Sequence, residues 1–304
     1  MLKLDEKKIR KGKPIGLPYQ GSKKKISKKI VEIIKQNFGT DKPIYDIFGG
    51  GGAITSECIL NGLEVHYNDL DKDITNAFER VISQDREWIK TLIVSRDEFF
   101  EIKAKENKTT DEFLKLLVNS FGNDKKSYLY SKGVSDLKYN IAKEIIEKHD
   151  VFSGYTQTET YKRSIVKPLR LEQLERRQRF QQLEQLQQLQ QLQQLQQLQQ
   201  LQKLNKIKAT NKSYHTFSDV SGAVLYLDPP YEGSHQKSYI NSFDSQEFYD
   251  WAFEIAKTNI VIISSYSISD ERFEVVYSFD KAHSTLEGGT RNDECEKLFM
   301  VKNS

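Results

Sequence analysis

Only two cysteines occur in the 304 residues, Cys58 and Cys295. They fit neither a disulfide framework nor the paired spacing of a thiolate metal site, so a reducing compartment is expected. The five histidines are scattered without HxxxH spacing, and no metal is expected. No apolar run approaches the ~18 residues that a membrane span needs. Nor does an apolar stretch follow the charged N-terminus, as it would in a signal peptide. A cytoplasmic protein with no membrane partner is the expectation. Glycine and proline are both missing between Leu169 and Ser221, which leaves that stretch free of helix breakers.

Charge of either sign is nearly balanced, at a net +3. Its distribution is not. Residues 1–29 carry eleven Lys and Arg against only Asp5 and Glu6. Such a cluster favours a polyanion. Lys3 to Lys13 read as a solvated, partly disordered tail.

Hydrophobic spacing places a helix over 24–37, with Ile26, Ile30, Ile33 and Ile34 on one side. PIYDIF (43–48) reads as a buried strand running into four glycines. A helix over 54–62, a strand over 64–69 and a helix over 71–83 follow. Strand, glycine turn, helix, strand opens a parallel α/β sheet. Residues 84–149 are mostly helical by pattern, broken at 122–136, where turn residues flank Tyr128 and Tyr130 and predict a hairpin. The sheet pattern resumes with a strand over 223–228. A helix (245–257) and strands over 259–265, 273–279 and 295–301 complete it. One α/β domain, 1–83 plus 213–304, is thus interrupted by an insert (84–168) and a repeat segment (169–208).

In that repeat, Leu or Phe recurs every third residue from Leu171 to Leu204, except at Arg177, with Gln at most other positions. Both are good helix formers, so a long helix is expected. A three-residue period slips by about 60° per repeat on an α-helix, so the leucines wind around it without a heptad seam. A spacer is the expected role, with self-association as the alternative.

Three places carry chemistry. Asp228-Pro229-Pro230-Tyr231 follows the apolar strand AVLYL, at a strand's carboxyl end, where open α/β sheets bind ligands. Two prolines stiffen the loop and leave carbonyls free. A carboxylate and a nearby carbonyl can hold one amino group, and Tyr231 offers a face to a planar base. Asp46-Ile47-Phe48-Gly49-Gly50-Gly51-Gly52 is a strand-to-helix turn of the kind that approaches a nucleotide closely, although it lacks the spaced dinucleotide fingerprint. Asp69, about 20 residues on and at the end of the second strand, is placed for a ribose diol or for a helix N-cap, a role for which Asp71 competes.

Together PYQGSKKK (18–25), DIFGGGG (46–52), YNDLD (67–71), LYLDPPY (225–231) and the closing SYINSFD-to-EKLFMV region resemble the DNA adenine methylase (Dam) family of N6-adenine-specific DNA methyltransferases. The tract before DPPY is similar to that of phage members. The resemblance covers most of 14–303. It implies a Rossmann-like sheet dependent on S-adenosylmethionine (SAM), with 84–168 as a helical and hairpin target-recognition insert and double-stranded DNA as partner. Tyr19, Lys23, Asp46, Phe48, Gly49, Gly50, Gly51 and Asp69 are then expected on the cofactor. Asp228, Pro229, Pro230 and Tyr231 are expected at the flipped adenine, which accepts the methyl group by direct in-line transfer. Lys125, Lys126, Tyr128, Tyr130 and Lys132 are the candidate DNA contacts of the insert. N4-cytosine methylation, RNA methylation and an inactive DNA-binding scaffold are the competing readings.

Overall fold

The computed structural model describes residues 1–19, 21–166, 186–203, 207, 209–232, 243–279 and 295–302. Residues 169–185 of the tract and 238–242 of the closing motif therefore lie outside the described residues. The chain divides into two compact units: residues 1–14, 23–75 and 207–304, and residues 15–22 and 76–206.

The first unit is built on a seven-stranded sheet. Its strands are β1 (Ile44–Asp46), β2 (Val65–Asn68), β3 (Ala209–Thr210), β4 (Val224–Leu227), β5 (Ile260–Ser265), β6 (Phe273–Ser278) and β7 (Lys297–Val301). The order is β3-β2-β1-β4-β5-β7-β6. The first five are parallel, and β7 is antiparallel to both its neighbours. The order reverses between β1 and β4, which opens a crevice at their carboxyl ends. β4 is buried at every position because both faces are covered. Val224, Tyr226 and Ile262 pack on one side with Ile30 and Ile34 of α1 (Ser27–Phe38) and Cys58 of α2 (Ala53–Leu60). The alternate residues Leu225, Leu227, Val261 and Ile263 pack on the other with Phe248 and Trp251 of a C-terminal helix, Ser245–Ile255. Asp244 starts that helix by accepting from Gln246 N and Glu247 N.

The N-terminal residues are not a solvated tail. Leu2 N donates to Val276 O, and the Arg10 guanidinium makes two 2.8 Å bonds to the buried Glu57 carboxylate. A buried carboxylate demands a partner, and that demand anchors the arm.

Helix α3 (Lys72–Ser83) carries the chain into the second unit, which contains α4 (Arg86–Lys90), α5 (Arg96–Ala104), α6 (Thr110–Val118), α7 (Ser135–His149), α8 (Glu159–Val166) and α9 (Gln187–Gln199). A reciprocal Thr109–Glu112 capping box starts α6. The expected hairpin is absent. In its place stand a short 3₁₀ turn at Phe121–Asn123 and a single bridge, Ser120 to Tyr128. Asn123 and Lys125 adopt positive φ (58° and 61°) in the turn that this bridge closes, and the pairing goes no further than the bonds from Phe121 N to Ser127 O and from Leu129 N to Asn119 O.

Residues 186–203, which form α9 and the 3₁₀ turn Gln200–Lys203 after it, are the described part of the tract, and they overturn the spacer expectation. Leu186, Leu189, Leu192, Leu195, Leu198 and Leu201 are all 0 % exposed. The leucines do wind, but α9 packs against α4 and α6 and is enclosed widely enough to bury each of them. Gln188 is also buried, its amide donating to Val94 O (3.1 Å), Asn119 Oδ1 (2.6 Å) and the Tyr128 hydroxyl (3.2 Å). These leucines offer no exposed apolar face for self-association. No helix among the described residues is long and apolar enough to cross a membrane.

Candidate active site

Asp46, Asp69 and Asp228 stand at the carboxyl ends of β1, β2 and β4, three adjacent strands of the first unit. The turn after β1 is held against β2 by Gly49 N donating to Asn68 O (2.8 Å). A Cβ on Gly49 would lie 2.4 Å from the Tyr67 ring, so only glycine fits there. Gly50 and Gly52 take positive φ (48° and 70°), and Gly52 leads into α2. Phe48 is partly buried against Phe248, Phe243 and Tyr214.

Asp46 accepts from Thr55 N (3.0 Å) and Thr55 Oγ1 (2.6 Å) on one oxygen. Burial pushes its carboxyl up to about 7, against the Thr55 bonds, and the charges of Asp228 and Asp69 push the same way. Asp69 accepts from Gly50 N (2.7 Å) and Asp71 N (2.8 Å). Burial raises it to about 6. Asp71, not Asp69, starts α3, accepting from Asp73 N (2.9 Å). Asp69 is thereby released from the capping role.

Lys23, one of the expected cofactor residues, meets the DPPY loop. Its ammonium lies 2.9 Å from Asp228 Oδ1 and 3.6 Å from Glu296 Oε2, and it donates to the Tyr231 hydroxyl. That hydroxyl lies 3.3 Å from Asp228 Oδ1 and 2.7 Å from Glu296 Oε1. Glu296 also accepts from Ser264 Oγ at 2.7 Å. Burial holds Asp228 above the usual carboxylate range; Lys23 opposes the rise and Glu296 adds to it. Burial works against the Lys23 ammonium, but Asp228 and Glu296 more than offset it and raise its pKa. Burial and both carboxylates keep Tyr231 neutral by raising its pKa far. Among the described residues Asp228 Oδ2 accepts no hydrogen bond. Pro229 is buried and Pro230 half-buried, and the Tyr231 ring meets Tyr266 edge-on at 4.7 Å.

The sequence reading missed Glu296 and Ser264. Ser264 stands near the carboxyl end of β5, and the strand-end rule that found Asp228 on β4 applies equally there. Glu296 is an acid immediately before the apolar run of β7.

The other candidates belong to the second unit. Tyr19 is half-buried, its carbonyl accepting from Ser22 N (3.2 Å). Tyr128 and Tyr130 are core residues, 6 % and 4 % exposed, packed with Phe99 and Leu116. Tyr128 donates to Val94 O (2.8 Å). Neither ring is available to wedge into DNA; their alternation marks a face turned to the core. Lys126 and Lys132 are exposed, and Lys125 lies over the Phe113 ring at 4.5 Å.

The sequence model of the D12 class of N6 adenine-specific DNA methyltransferases matches residues 19–286. The chain belongs to that family. Its reaction is methyl transfer to N6 of adenine in DNA, and the D12 class match spans both sides of the insert, as the motif resemblance implied. Among solved structures the chain is similar to the rRNA methyltransferase aviRa from Streptomyces viridochromogenes, at 10 % identity and a TM-score of 0.35, over 90 % of this chain and 84 % of that one. So low a score adds nothing to the sheet order described above. No curated protein matches. For a D12 class enzyme, the glycine turn and the DPPY loop flank the β1/β4 crevice of a Rossmann-like sheet.

Proposed function

We propose that this D12 class enzyme uses SAM as methyl donor and reads adenine as a flipped base at Asp228, Pro229 and Tyr231. The donor set fits SAM. Burial raises the carboxyls of Asp46 and Asp69, and the charge of Asp228 adds to both, so further positive charge is favoured in the crevice. A cationic nucleoside suits it. Asp69 retains acceptor capacity on both oxygens for a ribose diol, beside a turn that glycine keeps open. When bound, SAM supplies a methyl group made electrophilic by its sulfonium, for in-line attack by N6.

The single observation that carries the proposal is the division of labour at Asp228. Lys23 and the Tyr231 hydroxyl occupy the side of Oδ1, and Oδ2 is left as acceptor for an N6–H. The Pro229 carbonyl takes the second N6–H, which fixes the nitrogen lone pair toward the donor. The Tyr231 ring stacks on the base, a contact worth about 1–3 kcal/mol. Flipping exposes an N6 that is otherwise paired and stacked. Positioning and electrostatics then account for the rate. Asp228→Asn turns an acceptor into an –NH2. It should keep SAM binding and lower turnover by a factor on the order of 100. Nucleoside analysis of DNA treated with each protein reads the outcome. A wild-type rate of N6-methyladenine formation in the folded, SAM-binding variant would remove the amino clamp.

A further inference from the structure

The N-terminal arm is fastened along its length within the first unit. Lys3 exchanges two 2.9 Å bonds with the Asn37 side chain. Asp5 and Gln36 are joined by bonds of 2.7 and 3.1 Å. Glu6 pairs with Lys29 at 2.6 Å, Arg10 with Glu57 at 2.8 Å, and Lys28 Nζ donates to Gly12 O at 2.9 Å. The α1 partners fall in the order Asn37, Gln36, Lys29, Lys28. The arm therefore runs antiparallel to α1, from its last turn to its first, about 18 Å for a twelve-residue helix.

Lys7, Lys8, Lys11, Lys13 and Lys25 are exposed along this path. Among the described residues none of the five is in an ion pair. The arm's own acids are engaged, Glu6 by Lys29 and Asp5 by its bond from Lys7 N (3.0 Å). Arg10 also donates to Lys11 O and Lys13 O (2.8 and 3.1 Å), which fixes the backbone carrying those two lysines. They lie at the end of α1 that the Lys23–Lys25 turn enters, and Lys23 of that turn is the ammonium at Asp228.

We propose that the docked arm is a DNA-backbone clamp, with Lys7, Lys8, Lys11, Lys13 and Lys25 contacting phosphates of the duplex that flanks the target adenine. The inference rests on the D12 class reading of DNA as substrate. Lys7 to Lys13 are held between the Glu6–Lys29 pair and the bond from Lys28 to Gly12 O, beside Lys25 at the first turn of α1, and a duplex offers such a cluster one phosphate per ~1.7 Å of axis. Lysine on phosphate positions the duplex and reads no sequence. An arm already fastened has lost its chain entropy on folding, so contact with DNA does not have to order it.

The test uses the full chain and a duplex oligonucleotide, with affinity measured across a salt series. Each phosphate contact contributes about 0.9 to the slope of log affinity against log salt. The K7Q/K8Q/K11Q/K13Q variant should lower the magnitude of that slope by about 2–4 and weaken binding at least tenfold at about 0.1 M salt. The loss should be equal for duplexes of unrelated sequence, and SAM affinity should be unchanged. A wild-type slope in the variant overturns the clamp and leaves the D12 class reading standing. Loss confined to one sequence overturns it too, because that is base reading. A wild-type chain that binds no duplex at any salt removes the DNA reading itself.

Discussion

The charge balance around Asp228 predicts opposite effects from two neighbours of the same loop. Lys23 lies 2.9 Å from Asp228, with both side chains largely buried, 13 % and 17 % exposed. An opposite charge at that range lowers a carboxyl by about 1–3 units, or ~1.4–4 kcal/mol between its two protonation states. Burial and the nearby Glu296 act the other way and already hold Asp228 above its ordinary value. In the amino-clamp proposal the ionised carboxylate is the form that holds the amino group, so activity should be full above the Asp228 pKa and fall as pH drops through it. Lys23→Gln removes the cation that opposes the rise of Asp228 and should move this acid limb upward by about 1–3 units. Glu296→Gln removes a like charge, keeps a partner for Ser264 and Tyr231, and should move the limb downward. Tyr226, Tyr231 and Tyr266, which face this cluster, and Asp46 and Asp69, which the charge of Asp228 raises, are unsubstituted in both variants. Single-turnover methylation of a duplex, followed from about pH 5 to 9 with saturating SAM, resolves the two limbs. Shifts in the same direction, or a wild-type limb in both variants, would refute the assignment of Asp228 as the titrating group.

Asp69→Ala deletes charge-assisted bonds worth about 1.5–3 kcal/mol each and should weaken SAM binding at least tenfold by calorimetry, with an unchanged affinity excluding Asp69 from the site. Deleting residues 183–200 removes leucines that are 0 % exposed. Since Leu→Ala alone costs about 2–5 kcal/mol in a core, the second unit should lose cooperative unfolding and resistance to proteolysis; a deletion variant melting like wild type contradicts the core role of α9. Arg10→Ala strands Glu57, which is 1 % exposed, and should cost about 3 kcal/mol in a denaturant titration, toward the low end for a buried pair because Arg10 itself is partly exposed.

The sheet was legible because its signals are local. β4, β5 and β7 are short, largely apolar runs bounded by turns, and strand-end acids mark the crevice without knowledge of what packs beside them. The two-residue strand β3 has too little pattern to be read. Misreadings arose where a tertiary partner decided the outcome. Tyr128 and Tyr130 look like a surface strand until Gln188, about sixty residues away, is set against their hydroxyls. The lysine-rich arm looks solvated until Glu57 is found buried beneath Arg10. Lys23 sits in a motif that reads as cofactor-binding, and only the folded turn sets it against Asp228. Glu296 was invisible because a single acid before a strand has no spacing to betray it.

Helix α9 has a form of screw symmetry. Moving along it by three residues is an advance of about 4.5 Å and a turn of about 60° backwards, and that operation carries each leucine onto the next and each pair of glutamines onto another pair. Its leucines alone cannot tell one register from the next. The asymmetry comes from the partners: the hydroxyl of Tyr155 receives Leu186 N, that of Tyr130 receives Gln188 N, and the Val94–Asn119–Tyr128 cage holds one glutamine amide. A chain with one triplet more or fewer upstream would present the same side chains to the same cage. A single triplet gained or lost upstream therefore leaves the core that α9 completes the same, whereas removal of α9 itself takes that core away.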